Sequence, residues 1–316
     1  MPFRLYRSLD EARANFPPSV LTIGNFDGVH VGHRAILGRV VAIGREHGWK
    51  PSVLTFDPHP TKIVAPARAP RLLTTLEQRC ALFAGAGIEQ VLALPFTAEI
   101  ARLTPEEFVS SILDRALGAC AVLVGDNFRF GHRQAGDTAR LSELGREHGF
   151  FVEIVPAISL RGRIASSSEI RRLIGDGNVS LACRLLQRPY ALEGDVVPGH
   201  GVGSRQTVPT LNLKTQAEVL PLRGVYITRT ADLDSQRQWP SISNVGYRPT
   251  FGGDDELSIE TFLLAPLEGP TPGCIKLEFL RRIREERKFE SPEALKIQIL
   301  HDVARAQTYF RRLEAL

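Results

Sequence analysis

Two histidines lie in a glycine-rich segment near the start of the chain. His30 and His33 belong to the string GNFDGVHVGH (residues 24–33), which follows a short apolar run and precedes a helical pattern. The N-terminus of a helix carries unpaired N–H groups and a partial positive charge, so it attracts phosphate. Gly28 and Gly32 permit tight turns and a close approach of the backbone. The segment therefore predicts a site that holds the phosphates of a nucleotide such as ATP and stabilises charge as pyrophosphate leaves.

The two histidines are open to other interpretations. An H-x-x-H pair can bind zinc, but no third ligand lies at a recognisable spacing. Either histidine could instead cap the following helix, although two glycines and two histidines at one junction exceed what a cap requires. A phosphate acceptor needs no side-chain nucleophile, since positioning and electrostatic stabilisation can then carry the catalysis.

Aromatic side chains follow a later apolar run of the same half. Asn127, Phe128 and Phe130 come directly after the run at 121–125. The two rings could pack in the core, or they could stack on the flat ring of a bound ligand. The residues alone favour neither interpretation.

Three hydroxyl residues precede another helical pattern. Ser166-x-x-Glu169 has the form of a capping box, which is a structural feature. The residues alone favour that structural role. A helix start that carries Ser167 and Ser168, with Arg171 one turn later, is also compatible with a second phosphate site.

The second half carries its own candidate phosphate site. The segment 199–205 (GHGVGSR) is glycine-rich, but a strand-like run follows it instead of a helix, which excludes a dinucleotide-binding turn. Thr210 and Asn212 lie two residues apart in that run, so both side chains share one face of a strand. Their oxygens could bind Mg²⁺ together with phosphate and water, or the segment could be an exposed polar turn.

Glu260 is an acidic residue inside the otherwise apolar run 257–264. A charged side chain in such a run needs a physical reason. It could face solvent, or it could accept the proton of a substrate hydroxyl during phosphoryl transfer.

The first half alternates strand-like and helix-like segments, which predicts an open parallel α/β sheet. Capping boxes at Thr74-x-x-Glu77 and Thr104-x-x-Glu107 predict two helix starts. Ligands of such sheets bind at the carboxyl ends of the strands, where the candidate loops are expected to lie. The predicted strands cover the runs 20–24, 52–56, 91–94, 121–125 and 151–155.

The pattern changes near residue 185. Short strand candidates punctuated by glycine and proline follow, which predicts an antiparallel barrel or sandwich. They cover 191–197, 207–213, 224–230, 241–245, 257–264 and 274–280. Ser291 and Pro292 begin a last helix. Its predicted apolar face consists of Leu295, Ile299, Val303, Ala306 and Phe310. We therefore predict two domains, 1–184 and 185–316.

Composition excludes several classes of protein. The chain has 316 residues, 43% of them hydrophobic and 23% charged, which argues against wholesale disorder. No apolar run reaches the roughly 18 residues of a membrane helix, and the charged N-terminus argues against a signal peptide. The four cysteines are widely spaced and fit a reducing compartment, so we expect a cytoplasmic protein.

Arginine supplies most of the positive charge. Six of the 39 basic residues are lysines, which leaves 39 − 6 = 33 arginines in a chain of net charge +4. Arginine binds phosphate through forked bonds, although a solvated surface accounts for this composition equally well. The segment Arg281–Lys288 carries five positive and two negative charges. Its mixed signs and the lack of interleaved aromatics argue against nucleic acid binding.

The first half resembles the FMN adenylyltransferase module of bacterial bifunctional riboflavin kinase/FAD synthetases, which belongs to the nucleotidyltransferase superfamily. The H-x-G-H element lies in the matching string at 24–33. Further matches follow in order: FDPHP at 56–60, VGDNFRFG at 124–131, GD at 136–137 and SSSEIR at 166–171.

This resemblance implies a Rossmann-type nucleotidyltransferase sheet in which His30 and His33 act in catalysis. The residues that it implies for ATP and its phosphates are Gly24, Phe26, Gly28, Gly32, Ser167, Ser168 and Arg171. The residues that it implies for the flavin are Asn127, Phe128, Phe130 and Asp137.

The second half is similar to the riboflavin kinase module of the same family, a small Greek-key barrel with a C-terminal helix. The matching segments are Gly203, Arg205, PTLN at 209–212, GVY at 224–226, NVGYRPTF at 244–251, Glu260 and R-x-E-x-x-F at 284–289. The resemblance implies that Gly203 and Arg205 bind ATP, that Thr210 and Asn212 bind Mg²⁺, and that Glu260 is the general base.

Two features depart from the family pattern. Leu211 stands where the family usually has alanine, and the segment 265–274 lacks the family's Asp-Leu-Tyr-Gly type sequence. An enzyme in which only one half works, with a weakened kinase, is therefore one alternative. A non-enzymatic regulator that binds flavin or nucleotide is another.

The resemblance predicts a bifunctional flavin enzyme. The barrel would phosphorylate riboflavin with Mg²⁺–ATP, and the sheet would transfer AMP from ATP to FMN, giving FAD and pyrophosphate. The expected partners are the small molecules riboflavin, FMN and ATP, with no nucleic acid and no membrane.

Overall fold

The apolar runs of the first half form one parallel sheet in the computed structural model, which describes residues 3–16, 18–160, 162–198, 210–249, 255–287 and 289–315. The strands are β1 (Arg4–Tyr6), β2 (Ser19–Ile23), β3 (Lys50–Asp57), β4 (Gln90–Pro95), β5 (Ala119–Gly125) and β6 (Phe151–Val155). Their order is β1-β4-β3-β2-β5-β6, and all neighbours run parallel. The predicted open parallel sheet is confirmed.

Helices cover both faces of this sheet. They are α1 (Leu9–Asn15), α2 (Val31–His47), α3 (Pro60–Val64), α4 (Leu76–Gly85), α5 (Pro105–Phe108), which continues as a π-helical turn over Val109–Asp114, and α6 (Thr138–His148). Alternate strand residues face opposite ways, so Val20 and Val53 pack with α2 and α4. Leu21 and Leu54 pack on the other side with the segment 108–117 and with α6.

One predicted helix start is wrong by one residue. Thr75, and not Thr74, caps α4: its hydroxyl accepts the N–H of Gln78, whose side chain accepts the N–H of Thr75. Thr74 is unavailable as a cap because its hydroxyl donates to the carboxylate of Asp27. The second predicted box, between Thr104 and Glu107, is confirmed.

A short hairpin and two helices follow the sheet. They are β7 (Ser159–Leu160), β8 (Arg163–Ile164), α7 (Ser167–Gly175) and α8 (Val179–Leu186). The chain divides into two compact units, Met1–Ser167 and Ser168–Leu316. The helix α8 thus belongs to the second unit, where the hydroxyl of Ser180 donates to the carbonyl oxygen of Leu280 at 3.0 Å.

The second unit is built around a closed antiparallel barrel. Of the two predicted alternatives, a barrel and a sandwich, the barrel is confirmed. The strands are β9 (Tyr190–Val197), β10 (Thr210–Thr215), β11 (Gly224–Asp232), β12 (Gln238–Pro249), β13 (Asp255–Leu263) and β14 (Cys274–Arg284). Around the barrel their order is β10-β13-β12-β11-β14-β9, with β9 pairing with β10 to close it.

Hydroxyl side chains occupy part of the barrel interior, which the sequence did not reveal. A chain of hydrogen bonds of 2.7–2.9 Å joins five of them in succession. Each is fully buried, so these bonds replace the water that the hydroxyls lose on folding. In order along the chain of bonds they are Thr230, Ser241, Thr228, Ser243 and Thr261.

The last helix, α9 (Pro292–Glu314), begins at the predicted residue, where the Ser291 hydroxyl accepts the N–H of Ala294. Only the C-terminal part of its predicted apolar face is buried. Ala306 and Phe310 are 0% and 9% exposed, whereas Leu295 and Ile299 are 40% and 38% exposed.

Replacing Gly194 with alanine should destabilise the barrel by about 1–3 kcal/mol. A Cβ at this position would overlap the carbonyl oxygen of Lys214, where β9 and β10 close the barrel. Urea unfolding followed by the fluorescence of Trp239 in a Trp49→Phe background measures the effect. Gly273→Ala is the matched control, since a Cβ there meets nothing within 4 Å. Equal stabilities of the two variants would contradict this account of the barrel closure.

Candidate functional site

The loop between β2 and α2 has a backbone conformation that few sequences permit. Phe26, Gly28 and Val29 have φ angles of 50°, 78° and 40°. A β-branched residue in the left-handed region is strained, so the surrounding structure must hold the loop in place.

A buried carboxylate holds this loop. Asp27 is 3% exposed and accepts hydrogen bonds of 3.0 Å from the N–H groups of Leu73 and Thr74 and from the Thr74 hydroxyl. The oxygen of that hydroxyl accepts the N–H of Gly28 at 3.0 Å. Two chain segments are thereby joined through one carboxylate.

The guanidinium group of Arg79 links the loop to β3. Its Nη1 donates to the carbonyl oxygen of Asn25 at 2.7 Å and to the hydroxyl of Thr55 at 3.1 Å. Burial lowers the pKa of Arg79, and the negative charges of Asp27 and Asp57 oppose that shift. Thr74 and Arg79 thus position the loop. The sequence predicted Thr74 only as a helix cap, and no motif marks Arg79.

The two histidines of the loop are in direct contact. His30 caps α2, and its Nδ1 accepts the N–H of His33 at 3.4 Å. The two imidazole rings stack with centroids 3.6 Å apart and planes inclined by 19°. His30 therefore combines the predicted capping role with its place in the candidate phosphate site.

Two glycines of the motif provide room for aromatic rings. A Cβ on Gly32 would lie 3.2 Å from the His30 ring, and one on Gly24 would lie 3.2 Å from the Phe26 ring. The Phe26 ring, which is 3% exposed, meets the edge of the His33 ring at a centroid distance of 5.0 Å. Phe26 thus positions His33 from within the core.

The environment of His33 favours the neutral imidazole. Burial lowers the pKa of His33 well below its ordinary value, and the neighbouring His30 lowers it further. The Nδ1 atom of His33 is buried and has no hydrogen-bond partner within the described residues. A neutral ring can donate one hydrogen bond and accept another.

The serines at the start of α7 lie where the sequence predicted a helix start. The Ser167 hydroxyl donates to the backbone carbonyl of Asp27 at 2.8 Å, which brings it to the histidine loop. Ser168 and Arg171 lie in the first turns of α7, where Ser168 is exposed and Arg171 is half-buried.

The predicted flavin residues follow β5, the neighbour of β2 in the sheet, so both loops leave the same edge. The rings of Phe128 and Phe130 stack with centroids 5.6 Å apart and planes inclined by 15°. Phe130 is 6% exposed and packs on Phe108 in the core, whereas Phe128 is half-buried and Asn127 is exposed. Phe128 therefore offers more ring surface to a ligand than Phe130.

Asp137 has a structural role at the start of α6. Its carboxylate accepts the N–H of Arg140 at 2.9 Å and lies 3.4 Å from a guanidinium nitrogen of Arg129. The hydrogen bond from the Arg140 backbone, followed by the charge of Arg129, lowers the pKa of Asp137. The carboxylate stays partly exposed, so these bonds leave it open to a ligand on one side.

The barrel aligns the kinase candidates in one row. Asn212 of β10 lies opposite Glu260 of β13, and Glu260 lies opposite Asn244 of β12. Directly paired residues point to the same face of a sheet. Their chain neighbours, such as Leu211 and Ile259, are buried in the interior, so the row lies on the outer face. Thr210 is two residues from Asn212 and shares that face.

Glu286 adds a second carboxylate near this row. The Nδ2 of Asn244 donates to Glu286 Oε1 at 3.3 Å, and the Ser258 hydroxyl donates to Glu260 Oε1 at 3.3 Å. Gly246 leaves the space that Glu286 occupies, since a Cβ there would overlap its carboxylate. The sequence showed Asn244 and Glu286 only as parts of matching segments, because their approach depends on strand register. The predicted ATP residues Gly203 and Arg205 lie outside the described residues.

Two family models match the chain, one for each half. A model described as FAD synthetase matches residues 12–169, and a model described as riboflavin kinase matches residues 186–310. Together with the histidine loop on the sheet and the polar row on the barrel, they define a two-module flavin transferase.

Curated relatives resemble the chain over nearly its whole length. A bifunctional riboflavin kinase/FMN adenylyltransferase from Pseudomonas fluorescens is 37% identical over 304 residues, covering 96% of this chain and 97% of the relative. A protein of the same name from Escherichia coli (strain K12) is 35% identical over 291 residues, covering 92% of each. The chain belongs to the bifunctional riboflavin kinase/FMN adenylyltransferase family, which confirms the predicted resemblance.

A solved structure shares the whole fold. A crystal structure described as a macrolide-efflux protein from Streptococcus pneumoniae matches with a TM-score of 0.85 and 25% identity, covering 96% of this chain and 98% of that one. Its name differs from the family's, and the similarity supports the two-unit architecture. No helix within the described ranges is both long enough and apolar enough to span a bilayer.

Lowering the pH should destabilise the first unit through His33. As the pH falls below about 6.5, the unfolded chain binds a proton that the folded chain does not, because the folded-state pKa is lowered. The free energy of unfolding then falls with pH, by at most about 1.4 kcal/mol per pH unit from this residue. In the His33→Gln variant, the part of this pH dependence that comes from His33 should vanish.

Urea unfolding at pH 7.5 and 5.5 measures this effect. The fluorescence of Trp49 in a Trp239→Phe background isolates the first unit, since the two tryptophans lie in different units. Parallel pH dependences of the wild type and His33→Gln would contradict a lowered pKa.

Thr74→Val should destabilise the first unit by about 1–3 kcal/mol. The substitution keeps the shape of the side chain but leaves the Gly28 N–H without its hydroxyl acceptor and takes one donor from Asp27. Thr74→Ser retains the hydroxyl and should lose much less. The same Trp49 unfolding measurement compares them, and a serine variant as unstable as the valine variant would rule out the hydroxyl as the cause.

Proposed function

We propose that this chain makes FAD from riboflavin in two consecutive reactions, each carried by one module. The observation that carries the proposal is the presence of two separate clusters of candidate phosphate-binding residues in a member of this family. One set surrounds the start of α2, and the other lies on the outer face of β10, β12 and β13.

In the first reaction the barrel phosphorylates the terminal hydroxyl of the ribityl chain. Glu260 accepts the hydroxyl proton as the oxygen attacks the γ-phosphorus of ATP, so a new P–O bond forms while the bond to ADP breaks. Asn212 and Asn244 flank Glu260 in the strand pairing and would orient the reacting groups.

A magnesium ion fits the same face of the barrel. Thr210 and Asn212 offer a hydroxyl and an amide oxygen on one side of β10, which is the hard oxygen set that Mg²⁺ prefers. These two residues would hold the ion, which neutralises phosphate charge when bound. Gly203 and Arg205 would contact the ATP, a role that rests on the family resemblance.

In the second reaction the sheet transfers AMP. A phosphate oxygen of FMN attacks the α-phosphorus of ATP, forming the new P–O–P linkage as the bond to pyrophosphate breaks. The N-terminus of α2 and the imidazoles of His30 and His33 would hold the phosphates and stabilise the departing charge. Gly24, Gly28 and Gly32 would keep the backbone and the rings in position.

The remaining residues would bind the two substrates. Phe128 would stack on the isoalloxazine ring, with Phe130 behind it and with Asn127 and Asp137 as polar contacts. Ser167, Ser168 and Arg171 would form a second contact for ATP phosphates, supported by the bond from Ser167 to the histidine loop.

We further propose that the functional modules are 1–184 and 185–316. This boundary lies just before the riboflavin kinase match, which begins at residue 186. A cytoplasmic location is proposed as well, because the four cysteines are free thiols and would stay reduced there.

Product analysis with riboflavin, Mg²⁺ and ATP tests the proposal. The wild type should form FAD, His30→Ala should accumulate FMN, and Glu260→Gln should form FAD only when FMN is supplied. We expect each variant to lose at least about a hundredfold in its own reaction, the usual contribution of such a group. His47→Ala, at the far end of α2, and Glu268→Gln, in an exposed loop, are the matched controls.

The alternatives give different products. Turnover of FMN without turnover of riboflavin would leave only the adenylyltransferase, as the departure at 265–274 would suggest. Flavin binding without pyrophosphate release would identify a regulator. Loss of both reactions from either substitution would argue against two independent sites.

A further inference from the structure

A groove in the second unit gathers four arginines outside the proposed catalytic sites. Arg281 and Arg282 come from β14, and Arg305 and Arg312 come from the C-terminal half of α9. The groove is open to solvent on one side and has a volume of about 680 Å³, which lies within the range of small-molecule sites. The polar row of the barrel is on β10, β13 and β12, whereas this groove is on β11, β14 and α9.

The side chains of Arg281, Arg305 and Arg312 are exposed to solvent, and that of Arg282 is half-buried. Within the described residues none of them lies within 4.0 Å of a carboxylate, whereas the nearby Arg284 pairs with Asp302 at 2.9 Å. Arg282 donates to the carbonyl oxygen of Arg223 at 2.7 Å, and its buried Nε has no partner in the described part of the chain. Four positive side chains around one groove give it a positive potential, which attracts an anion.

Apolar and aromatic groups line the same groove. Tyr309 is half-buried there, and burial raises its pKa, so the phenol stays a neutral hydrogen-bond donor. Leu313 is 43% exposed beside it. A ligand that combines anionic groups with a flat or apolar part would therefore complement this lining.

We propose that this groove binds a nucleotide, with its phosphates on the arginines and its ring on Tyr309 and Leu313. Arginine forms forked bonds to phosphate oxygens, and an aromatic side chain offers a face for stacking. The shared chemistry is a phosphate joined to an aromatic ring system, so the ligand is an adenine nucleotide or a flavin nucleotide. A nucleic acid fits less well, since the arginines are gathered around one groove and do not form an extended stripe.

Equilibrium dialysis of the full chain tests the site. The groove variant carries Arg281→Gln, Arg305→Gln and Arg312→Gln, and it keeps Arg282 because of its bond to Arg223. The wild type should bind one more molecule per chain than this variant, either of FMN or of a non-hydrolysable ATP analogue. Which ligand shows the difference identifies the nucleotide. Inorganic tripolyphosphate should displace the additional molecule, and failure to do so would overturn the role of the arginines.

A matched control removes the same charge elsewhere. Arg45, Arg102 and Arg146 are exposed in the first unit, and their triple replacement by glutamine should keep the full stoichiometry. Equal stoichiometry in the wild type and the groove variant, or an equal loss in the control, would overturn the proposal. So would a short oligonucleotide that binds the groove more tightly than either nucleotide.

Two further measurements distinguish loss of binding in the groove from misfolding and from loss of catalysis. If the groove variant fails to fold, Arg305→Gln and Arg312→Gln are tested singly, and each should weaken the additional binding about tenfold or more. Amide hydrogen exchange of peptides from 274–287 and 292–313 should slow with ligand in the wild type only. Both reactions should persist in the groove variant, so loss of the additional site and failure of the proposed function give different results.

Discussion

A buried carboxylate that must find its hydrogen bonds is the constraint on which the first module depends. A charge out of contact with water is costly unless donors surround it, and Asp27 meets that requirement with the backbone of Leu73 and Thr74. The loop after β2 is therefore fixed to the segment before α4, which holds Phe26 and Val29 in the left-handed region. The stacking of His30 on His33 follows from that geometry, because both rings are carried by the loop and by the first turn of α2.

The two proposed sites would hold phosphate by different physical means. The first would use the end of a helix, where the peptide dipoles and unpaired N–H groups supply positive potential. The second would use the face of a barrel, where strand register sets Asn212, Glu260 and Asn244 side by side. A helix end suits a site in which charge leaves with pyrophosphate. A strand face suits a proton transfer, because neighbouring strands fix the distance between acceptor and donor.

Much of the architecture follows from local sequence, and the contacts between segments do not. The runs at 20–24 and 121–125 predicted β2 and β5 because strands buried on both faces are continuously apolar. β1 has three residues, only one of them buried, so no apolar run marks it. The prediction of Thr74 as a helix cap was wrong by one residue. Its hydroxyl binds Asp27, which is far away in the chain, and local spacing cannot show such a contact. The first residues of the predicted apolar face of α9 are exposed for a similar reason. Periodicity shows which residues share a face of a helix, but it does not show whether another element covers that face.

The buried hydroxyl chain of the barrel has a consequence for how this interior can change over time. Ser241 and Ser243 each bond to two partners on neighbouring strands. Replacing one of them with an apolar residue leaves Thr230 or Thr261 without its bond and takes one of the two bonds of Thr228. A change to an apolar interior would gain little until several positions had changed together. We therefore expect related sequences either to keep all of these hydroxyl residues or to replace several of them together, so that substitutions at these positions are correlated.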